Sequence, residues 1–151
     1  MIVAFRPARP DDFDYCERLY FAEMDRIVRE LKLDLDLQRA SFRRQWLVDE
    51  VRVITLDGAD IGWLQSRRQD GTFFLAQLFV EAALQRRGIG TEVMHRLFDE
   101  AARAGQAMTL AVVKINPAKR LYDRLGFRVT HEDDRKFYMR WKLDSATAAR
   151  S

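Results

Sequence analysis

The sequence predicts an α/β or α+β fold that contains a mixed sheet. Strand-like runs with turn signals predict antiparallel hairpins in residues 51–65 and in residues 127–141. Between these hairpins, residues 73–113 have the pattern of a strand, an amphipathic helix and a second strand, which is typical of a parallel crossover. A sheet that combines hairpins with a crossover contains both antiparallel and parallel pairs.

The length and composition are those of one globular domain. The chain has 151 residues, of which 48% are hydrophobic, which is enough to bury a core. We therefore expect a single domain over residues 1–143 and a frayed tail over residues 144–151, a stretch of small and polar residues. The net charge of +3 comes from 26 basic and 23 acidic residues, so it favours an anionic ligand only weakly.

The reactive side chains exclude several classes of protein. A single cysteine, Cys16, excludes an internal disulfide, and the distant His95 and His131 do not supply a metal cluster. The first residues lack the apolar core of a signal peptide, and no apolar run approaches the ~20 residues of a membrane span. The sequence therefore predicts a protein without a metal or a membrane partner, and the cytoplasm is its default location.

The N-terminal part is predicted to hold a strand followed by two helices. Residues 2–6 alternate weakly and are closed by Pro7, which indicates a strand. A helix is expected to begin near Asp11, because acidic residues favour the positive end of the helix dipole. Apolar residues recur at three- and four-residue steps over residues 13–31, and a further helix is predicted over residues 37–47.

Three antiparallel strands are predicted to follow. Residues 51–56 and 61–65 are joined by Asp-Gly at positions 57–58, which is a tight-turn signal. A second Asp-Gly, at positions 70–71, leads into residues 73–80, an apolar run that indicates a buried strand.

The C-terminal part alternates helices with strands. An amphipathic helix is predicted from Gly90, with Gly105 as the residue that ends it, and a short helix is predicted from Pro117 to Gly126. The remaining strands are predicted over residues 108–113, 127–130 and 136–141. The first of these is nearly all apolar, as in a strand that is covered on both faces.

The loop before the amphipathic helix is the clearest candidate for a binding site. Two arginines and two glycines precede the helix, so its first backbone N–H groups are not covered by side chains and can bind an anion. A Rossmann fingerprint would need a small residue at Val93, and a P-loop would end in Gly-Lys-Ser/Thr, so both of these nucleotide loops are excluded. The alternative interpretation is a tight strand-to-helix turn without a ligand.

The pattern Gln85-x-x-Gly88-x-Gly90 resembles the coenzyme A loop of the GNAT superfamily of N-acetyltransferases. Residues 116–127, Asn-Pro-Ala-Lys-Arg-Leu-Tyr-Asp-Arg-Leu-Gly-Phe, are similar to the second signature of that family. Both motifs lie in the order of the family and at about its separation. The resemblance implies a mixed, mostly antiparallel central sheet of about seven strands flanked by helices, with splayed central parallel strands.

The resemblance further implies acetyl-CoA as the cosubstrate and assigns the residues that bind it. The loop would hold the pyrophosphate, and a bulged, splayed strand before the loop would hold the pantetheine arm with free backbone groups. The candidate residues are Leu78, Phe79, Val80, Gln85, Arg86, Arg87, Gly88, Ile89, Gly90, Thr91 and Asn116. Asn116 also suits the N-cap of the helix that Pro117 begins, and a fully paired central strand is the alternative to the splayed one.

The resemblance assigns the role of general acid to Tyr122, which would protonate the departing thiolate of coenzyme A. The alternative for Tyr122 is packing, with its hydroxyl bonded to a backbone group. No general base is assigned. Some relatives carry a glutamate where this chain has Ala111, and Gln77 is not a base. Three carboxylates are substitutes by position, although each also suits a solvated surface: Glu23, Asp25 and Glu81.

These residues together predict an N-acetyltransferase that moves the acetyl group of acetyl-CoA directly to a primary amine of a small molecule or a peptide. The family resemblance is also compatible with a homodimer. Six aromatic residues either line the acceptor pocket or belong to the core: Tyr15, Tyr20, Phe42, Trp46, Phe137 and Tyr138. One alternative function is a catalytically silent acetyl-CoA-binding regulatory module. Nucleic-acid binding is not expected, because the arginine pairs are separated by acidic residues and no reading helix is recognised.

Overall fold

The structure is a computed structural model, and it describes residues 2–142 of the chain. The predicted tail over residues 144–151 lies outside the described residues. Within residues 2–142 there are seven strands, β1 (Val3–Pro7), β2 (Val51–Leu56), β3 (Ala59–Gln69), β4 (Thr72–Val80), β5 (Met108–Val113), β6 (Arg128–Glu132) and β7 (Lys136–Trp141). The same residues form four α-helices, α1 (Phe13–Glu30), α2 (Leu35–Gln45), α3 (Ile89–Arg103) and α4 (Lys119–Arg124). None of these helices combines the length and the apolar character needed to cross a bilayer.

The strands form one seven-stranded sheet in the order β1-β2-β3-β4-β5-β7-β6. The pairs β1–β2, β2–β3, β5–β7 and β6–β7 are antiparallel, whereas β4 and β5 are parallel. The parallel register begins with Phe73 opposite Met108 and ends with Leu75 opposite Leu110. Because β4 continues to Val80 and β5 to Val113, only a short part of each strand is paired in this way. The predicted fold, a mostly antiparallel mixed sheet with splayed parallel strands, is confirmed.

Both Asp-Gly turns form as predicted. Asp57 has a φ of 50° and Gly58 a φ of 87°, and Asp70 and Gly71 have values of 51° and 74°. Positive φ at both central residues is the mark of a type I′ turn, whose twist matches that of the two flanking strands. The turns therefore fix the registers of the β2–β3 and β3–β4 connections.

Glycines end α3 and α4, also as predicted. Gly105 has a φ of 68° and Gly126 a φ of 98°, values that residues with a Cβ atom rarely adopt. After α3, the N–H of Gln106 donates to the carbonyl of Ala101 at 2.8 Å and the N–H of Gly105 donates to the carbonyl of Ala102 at 3.0 Å. This pair of bonds is a Schellman motif, which satisfies carbonyls that the helix leaves unpaired.

The burial of β4 and β5 differs from the prediction. β4 was expected to be buried, but only Thr72, Leu75 and Val80 are buried and the other six residues are half-exposed. In β5, buried residues alternate with half-buried ones, so the expectation of complete cover on both faces is wrong. An apolar sequence shows that a strand requires apolar surroundings, but it does not show that the protein itself supplies all of them.

The chain divides into two compact units. The first comprises residues 2–65 together with Gln77–Ile89, and the second comprises Ser66–Ala76 together with residues 90–142. The core of the first unit is aromatic, and Trp63 lies at its centre with no exposed surface. The rings of Phe42 and Phe79 lie 5.9 and 5.4 Å from the ring of Trp63.

The second unit packs α3 against β7. Phe98 of α3 stacks on Trp141 of β7 with the ring centroids 4.2 Å apart and an interplanar angle of 16°. Phe127 lies 5.9 Å from the ring of Phe98, and Leu97 and Met139 are almost fully buried. The apolar stripe predicted for this helix is therefore the surface that forms the core of the second unit.

A salt bridge fixes the start of α1. The guanidinium of Arg6 makes two hydrogen bonds of 2.9 Å to the carboxylate of Asp12 and a third, also 2.9 Å, to Asp60. Asp12 also accepts the backbone N–H of Arg9 at 2.8 Å. Hydrogen bonds from Arg6 lower the pKa of Asp12, so its carboxylate stays ionised at neutral pH. The acidic helix start predicted near Asp11 is thus confirmed, with a short 3-10 helix (Pro10–Asp12) before α1.

Gly62 in β3 allows an unusually close approach of β4. A Cβ atom built at Gly62 would overlap the carbonyl oxygen of Phe79 and would lie 3.1 Å from the Cα of Val80. The N–H of Glu81 donates to the carbonyl of Ile61 at 2.8 Å, so the end of β4 is bonded to β3 beside this contact. Only glycine fits at position 62 without a shift of the β4 backbone.

The strand β6 lies at one edge of the sheet and is exposed along its whole length. It carries Arg128 and Glu132 at its ends, and its register with β7 shifts between Val129 and His131. Irregularities of this kind bend and twist an edge strand. The edge is therefore short, charged and irregular.

We expect Gly62→Ala to destabilise the fold, because the added methyl group overlaps the Phe79 carbonyl. The expected loss is about 1–3 kcal/mol of unfolding free energy, the usual cost of overpacking, measured by urea denaturation. Gly90→Ala is the matched control, because its Cβ would meet only Leu121 at an ordinary 3.5 Å. Equal denaturation midpoints for Gly62→Ala and the wild type would contradict the close approach.

Candidate coenzyme-binding site

The loop between β4 and α3 has a backbone conformation that the sequence did not reveal. Arg86 has a φ of 64° and Gly88 a φ of 80°, whereas Arg87 between them keeps a negative φ. A left-handed conformation costs a residue such as Arg86 roughly 1–2 kcal/mol, and such strain is concentrated at ligand sites. Left-handed residues occur in backbone turns whose N–H groups can bind an anion, and the positive φ values of Arg86 and Gly88 are compatible with such a turn.

The charges of the loop support the same chemistry. The side chains of Arg86 and Arg87 are exposed, and neither makes a hydrogen bond or an ion pair within residues 2–142. The helix α3 begins directly afterwards at the buried Ile89, so the N–H groups of its first turn have no intrahelical acceptors. Thr91 lies in that first turn. Two uncompensated guanidiniums and a helix N-terminus therefore lie in one continuous segment of the chain.

The two glycines of the loop have different physical roles. Gly88 needs its left-handed φ, and a Cβ there would meet no atom within 4 Å. Gly90 has no unusual φ, and its Cβ would only touch the Cδ2 of Leu121 at 3.5 Å. The protein itself therefore has room for a side chain at either position.

The end of β4 is half-exposed although β4 lies in the middle of the sheet. Leu78 and Phe79 are half-buried, and Val80 is 9% exposed. On the face of the first unit, the Phe79 ring packs against Trp63 at 5.4 Å and against Tyr20 at 5.3 Å. The side chains thus anchor this segment while it runs beyond the parallel register with β5. The bulge expected in β4 stays a prediction.

Gln85 makes contacts that the loop pattern did not indicate. Its amide nitrogen Nε2 donates to the carbonyl of Val80 at 2.8 Å and to the Oε2 of Glu23 at 2.9 Å. Its backbone N–H donates to Ala82 at 3.2 Å. Among the predicted site residues of the first unit, the structure therefore joins Gln85 directly to Val80.

Asn116 organises the turn before α4. Its Oδ1 accepts the N–H of Ala118 at 2.9 Å, and its Nδ2 has no partner within residues 2–142. The helix begins at Lys119 with Ala118 as its N-cap, two residues later than the predicted start at Pro117. The Asn116 side chain therefore caps the turn that Pro117 begins, and the α-helical residues follow this turn. The amide nitrogen of Asn116 retains its donor capacity for a ligand.

Tyr122 lies in α4 and contacts Phe127, which follows the end of that helix. Its carbonyl accepts the N–H of Phe127 at 3.0 Å, and the two rings pack edge to face with centroids 5.7 Å apart. The Schellman motif at Gly126 thus explains physically why the spacing from Tyr122 to Phe127 matters. Within residues 2–142 the Tyr122 hydroxyl has no hydrogen-bond partner, so the backbone cap considered as an alternative is not found. Burial raises the pKa of Tyr122 to about 12.

The carboxylates considered as bases have different surroundings. Asp25 pairs with Arg29 at 2.8 Å on the surface of α1, and Glu23 is bonded to Gln85. The Glu81 side chain makes no hydrogen bond or ion pair within residues 2–142, nor does that of Gln77. No group of three His, Cys, Asp or Glu side chains in that part of the chain could hold a metal ion.

Four of the six aromatic residues considered for an acceptor pocket belong to the core. Tyr15, Tyr20, Phe42 and Trp46 pack around Trp63 in the first unit, as the alternative interpretation expected. Phe137 and Tyr138 lie in the second unit on β7 and are half-buried. The Phe137 ring lies beneath the ammonium groups of Lys114 at 5.2 Å and Lys119 at 5.0 Å. Tyr138 donates to Asp133 at 2.8 Å.

Sequence reasoning missed Gly62 and the side-chain contacts of Gln85. A glycine inside a strand signals a bulge or a close backbone approach, so Gly62 carried a usable signal. No local signal identifies Val80 and Glu23 as the partners of Gln85, because they lie on other elements. In the second unit, the structure brings Gly90 against Leu121, the neighbour of Tyr122 in α4.

Residues 2–142 thus form a seven-stranded mixed sheet in which a strand–loop–helix crossover joins the parallel strands β4 and β5. The family model described as an acetyltransferase (GNAT) domain matches residues 47–129. The match covers more than half of the chain, so the protein belongs to the GNAT acetyltransferase family. A comparison with curated proteins found no significant match.

Solved structures share this fold over nearly the whole chain. PaiA N-acetyltransferase from Thermoplasma acidophilum, in complex with coenzyme A, is 16% identical with a TM-score of 0.76, and the match covers 94% of this chain and 99% of that one. Ard1 from Thermoplasma volcanium is 18% identical with a TM-score of 0.64 and coverages of 94% and 97%. The yncA protein from Salmonella typhimurium, with its cofactor acetyl-CoA, is 25% identical with a TM-score of 0.61 and a coverage of 95% of each chain.

We expect Gly88→Ala to lower the affinity for coenzyme A at least tenfold, because the left-handed φ that shapes the loop becomes strained. Gly58→Ala is the matched control: Gly58 also has a positive φ and open space around it, so both variants lose similar stability. Titration calorimetry measures the affinities and urea denaturation measures the stabilities. Wild-type affinity in Gly88→Ala would show that the loop conformation does not serve coenzyme binding.

Proposed function

We propose that this protein is an N-acetyltransferase that transfers the acetyl group of acetyl-CoA directly to a primary amine of a small molecule or a peptide. The proposal rests on the family membership and on the chemistry of the loop. Its main support is the loop with positive φ at Arg86 and Gly88, which adjoins the first turn of α3 and two arginines that make no ion pair within residues 2–142.

The loop residues fit a pyrophosphate. In the proposal, backbone N–H groups of residues 86–91 donate to the phosphate oxygens, and Arg86 and Arg87 add charge-assisted hydrogen bonds. The exposed guanidiniums can reorient without breaking a protein contact, so binding costs no internal ion pair.

The rest of the coenzyme is assigned to β4 and Asn116. Leu78, Phe79 and Val80 offer backbone groups beyond the parallel register, and an amide-bearing pantetheine arm can bond to such groups as an added strand would. The free Nδ2 of Asn116 supplies a further donor. Acetyl-CoA itself supplies the activated thioester.

Tyr122 is proposed as the general acid. Its phenol is buried, and its raised pKa of about 12 keeps it protonated at neutral pH, as a general acid requires. Because the hydroxyl makes no hydrogen bond within residues 2–142, its proton is not committed to a protein acceptor. We propose that Tyr122 gives this proton to the departing sulfur and that a backbone N–H near Val80 polarises the carbonyl.

A screen of amines separates this function from a silent acetyl-CoA-binding module. The protein is mixed with acetyl-CoA and a panel of small amines, polyamines, amino acids and peptides, and thiol release and product mass are measured. We expect an acetylated amine that carries 42 Da of added mass, the mass of an acetyl group in place of a hydrogen. Intact calorimetric binding of acetyl-CoA without any product from the panel would favour the binding module.

We expect Tyr122→Phe to lower kcat roughly 100-fold or more, the usual effect of removing a general acid, with little effect on coenzyme A affinity. The control is Tyr20→Phe, which removes a half-buried phenol that packs against the core of the first unit. Steady-state kinetics with the best acceptor measure both variants. Unchanged turnover in Tyr122→Phe would remove this residue from the mechanism.

The stability of the protein should depend on the protonation of Tyr122 at alkaline pH. The pKa is about 12 in the folded protein and 10 in the unfolded chain, so burial disfavours the phenolate. The neutral form is fully populated below pH 10 in both states, and folded stability is lost as the pH rises from 10 towards 12. The unfolding free energy of the wild type, relative to that of Tyr122→Phe, should fall by about 1 kcal/mol for each pH unit in this window. Urea denaturation at several pH values measures both proteins. Parallel pH profiles for both proteins would contradict the assigned shift.

A further inference from the structure

We infer that Gln85 is a positioning residue for the reacting end of β4 and that its side chain does not bind phosphate. The inference rests on the proposed function, because it gives a role to a residue of the same site. It starts from the hydrogen bonds of one amide nitrogen.

The donors of the Gln85 side chain are fully used within the protein. The amide nitrogen carries two protons, and its two neighbours are the carbonyl oxygen of Val80 at 2.8 Å and a carboxylate oxygen of Glu23 at 2.9 Å. Both neighbours only accept hydrogen bonds, so the nitrogen and not the oxygen of Gln85 must face them. The group that remains is the amide oxygen, which is an acceptor and does not bind a phosphate oxygen.

These bonds fix the last peptide unit of β4 from both sides. The carbonyl of the Val80–Glu81 peptide accepts from Gln85, and the N–H of the same peptide donates to Ile61 of β3 at 2.8 Å. Because a peptide unit is planar, the two bonds together set the orientation of the whole unit. Gly62 allows the preceding Phe79 carbonyl to lie directly against β3.

The orientation of this peptide bears on the proposed chemistry. The Val80 N–H belongs to the preceding peptide, whose Phe79 carbonyl lies against Gly62. Because the Val80–Glu81 peptide is fixed, that neighbouring peptide has less freedom to rotate. An N–H that polarises a carbonyl must be aimed at the position of the developing charge, and small errors in aim lower the rate. Gln85 would therefore support catalysis through its hydrogen bond to the Val80 carbonyl.

The test uses Gln85→Met, which keeps the approximate shape of the side chain and removes both donors. We expect kcat with acetyl-CoA and the best amine of the panel to fall about tenfold, the scale of one lost hydrogen bond, while coenzyme A affinity stays within about threefold. Backbone exchange of the Glu81 N–H should become about tenfold faster, as measured by NMR hydrogen exchange. The matched control is Gln45→Met, which removes an exposed amide that donates only to Ser41.

Glu23→Met distinguishes the effects of the two hydrogen bonds that the Gln85 amide makes. This variant removes the contact to α1 and leaves the donor to Val80, so we expect kcat to change less than about threefold. A loss as large as that of Gln85→Met would show that the contact to α1 is the important one and would overturn the role of Val80. Gln85→Glu removes the donors and also adds a negative charge. If kcat falls in Gln85→Glu but is normal in Gln85→Met, the charge is responsible for the loss and the inference is overturned.

The remaining outcomes distinguish this inference from the proposed function. A weaker coenzyme A affinity with unchanged kcat in Gln85→Met would place the side chain on the coenzyme and overturn the inference. If the wild type acetylates no amine, the proposed acetyl transfer fails. In that case, the hydrogen-exchange rate of the Glu81 backbone N–H still tests the positioning role. An unchanged rate in Gln85→Met would overturn that role as well, whereas a faster rate would support it.

Discussion

The parallel pairing of β4 with β5 is short, and the candidate site depends on this limit. Within residues 2–142 the register ends at Leu75 and Leu110, although both strands continue. A backbone that leaves a ladder has to find other partners for its N–H and C=O groups, because unpaired buried groups are costly. The protein meets this requirement at the end of β4 with Ile61 and Gln85, and the segment between is half-exposed. An amide-bearing ligand is a physically suitable partner for such a segment.

The strained backbone conformation at Arg86 also depends on the structure around it. Glycine would adopt the same φ without cost, yet the chain carries an arginine at this position. The left-handed φ of this arginine costs the folded state roughly 1–2 kcal/mol. Such a cost persists only where the rest of the structure enforces the conformation, and here Ile89 is buried on one side of the loop while Gln85 is bonded on the other.

Features determined by a few neighbouring residues could be predicted from the sequence. The Asp-Gly turns at positions 57–58 and 70–71 and the glycine ends of α3 and α4 follow from local φ preferences, and the structure has all of them. The order of the elements was enough to predict the mixed sheet. The burial of β4 was not predictable, because an apolar run looks the same whether protein or ligand covers it. The partners of Gln85 lie on α1 and β4, so only the folded chain reveals them.

The irregular edge strand β6 has a consequence for the behaviour of the protein in concentrated solution. An exposed edge offers unpaired N–H and C=O groups to any other extended chain, and a long flat edge would recruit one. In β6 the shifted register between Val129 and His131 interrupts that template, and the exposed Arg128 adds a charge that an incoming strand would have to match. The edge of the sheet therefore resists the growth of intermolecular β-structure.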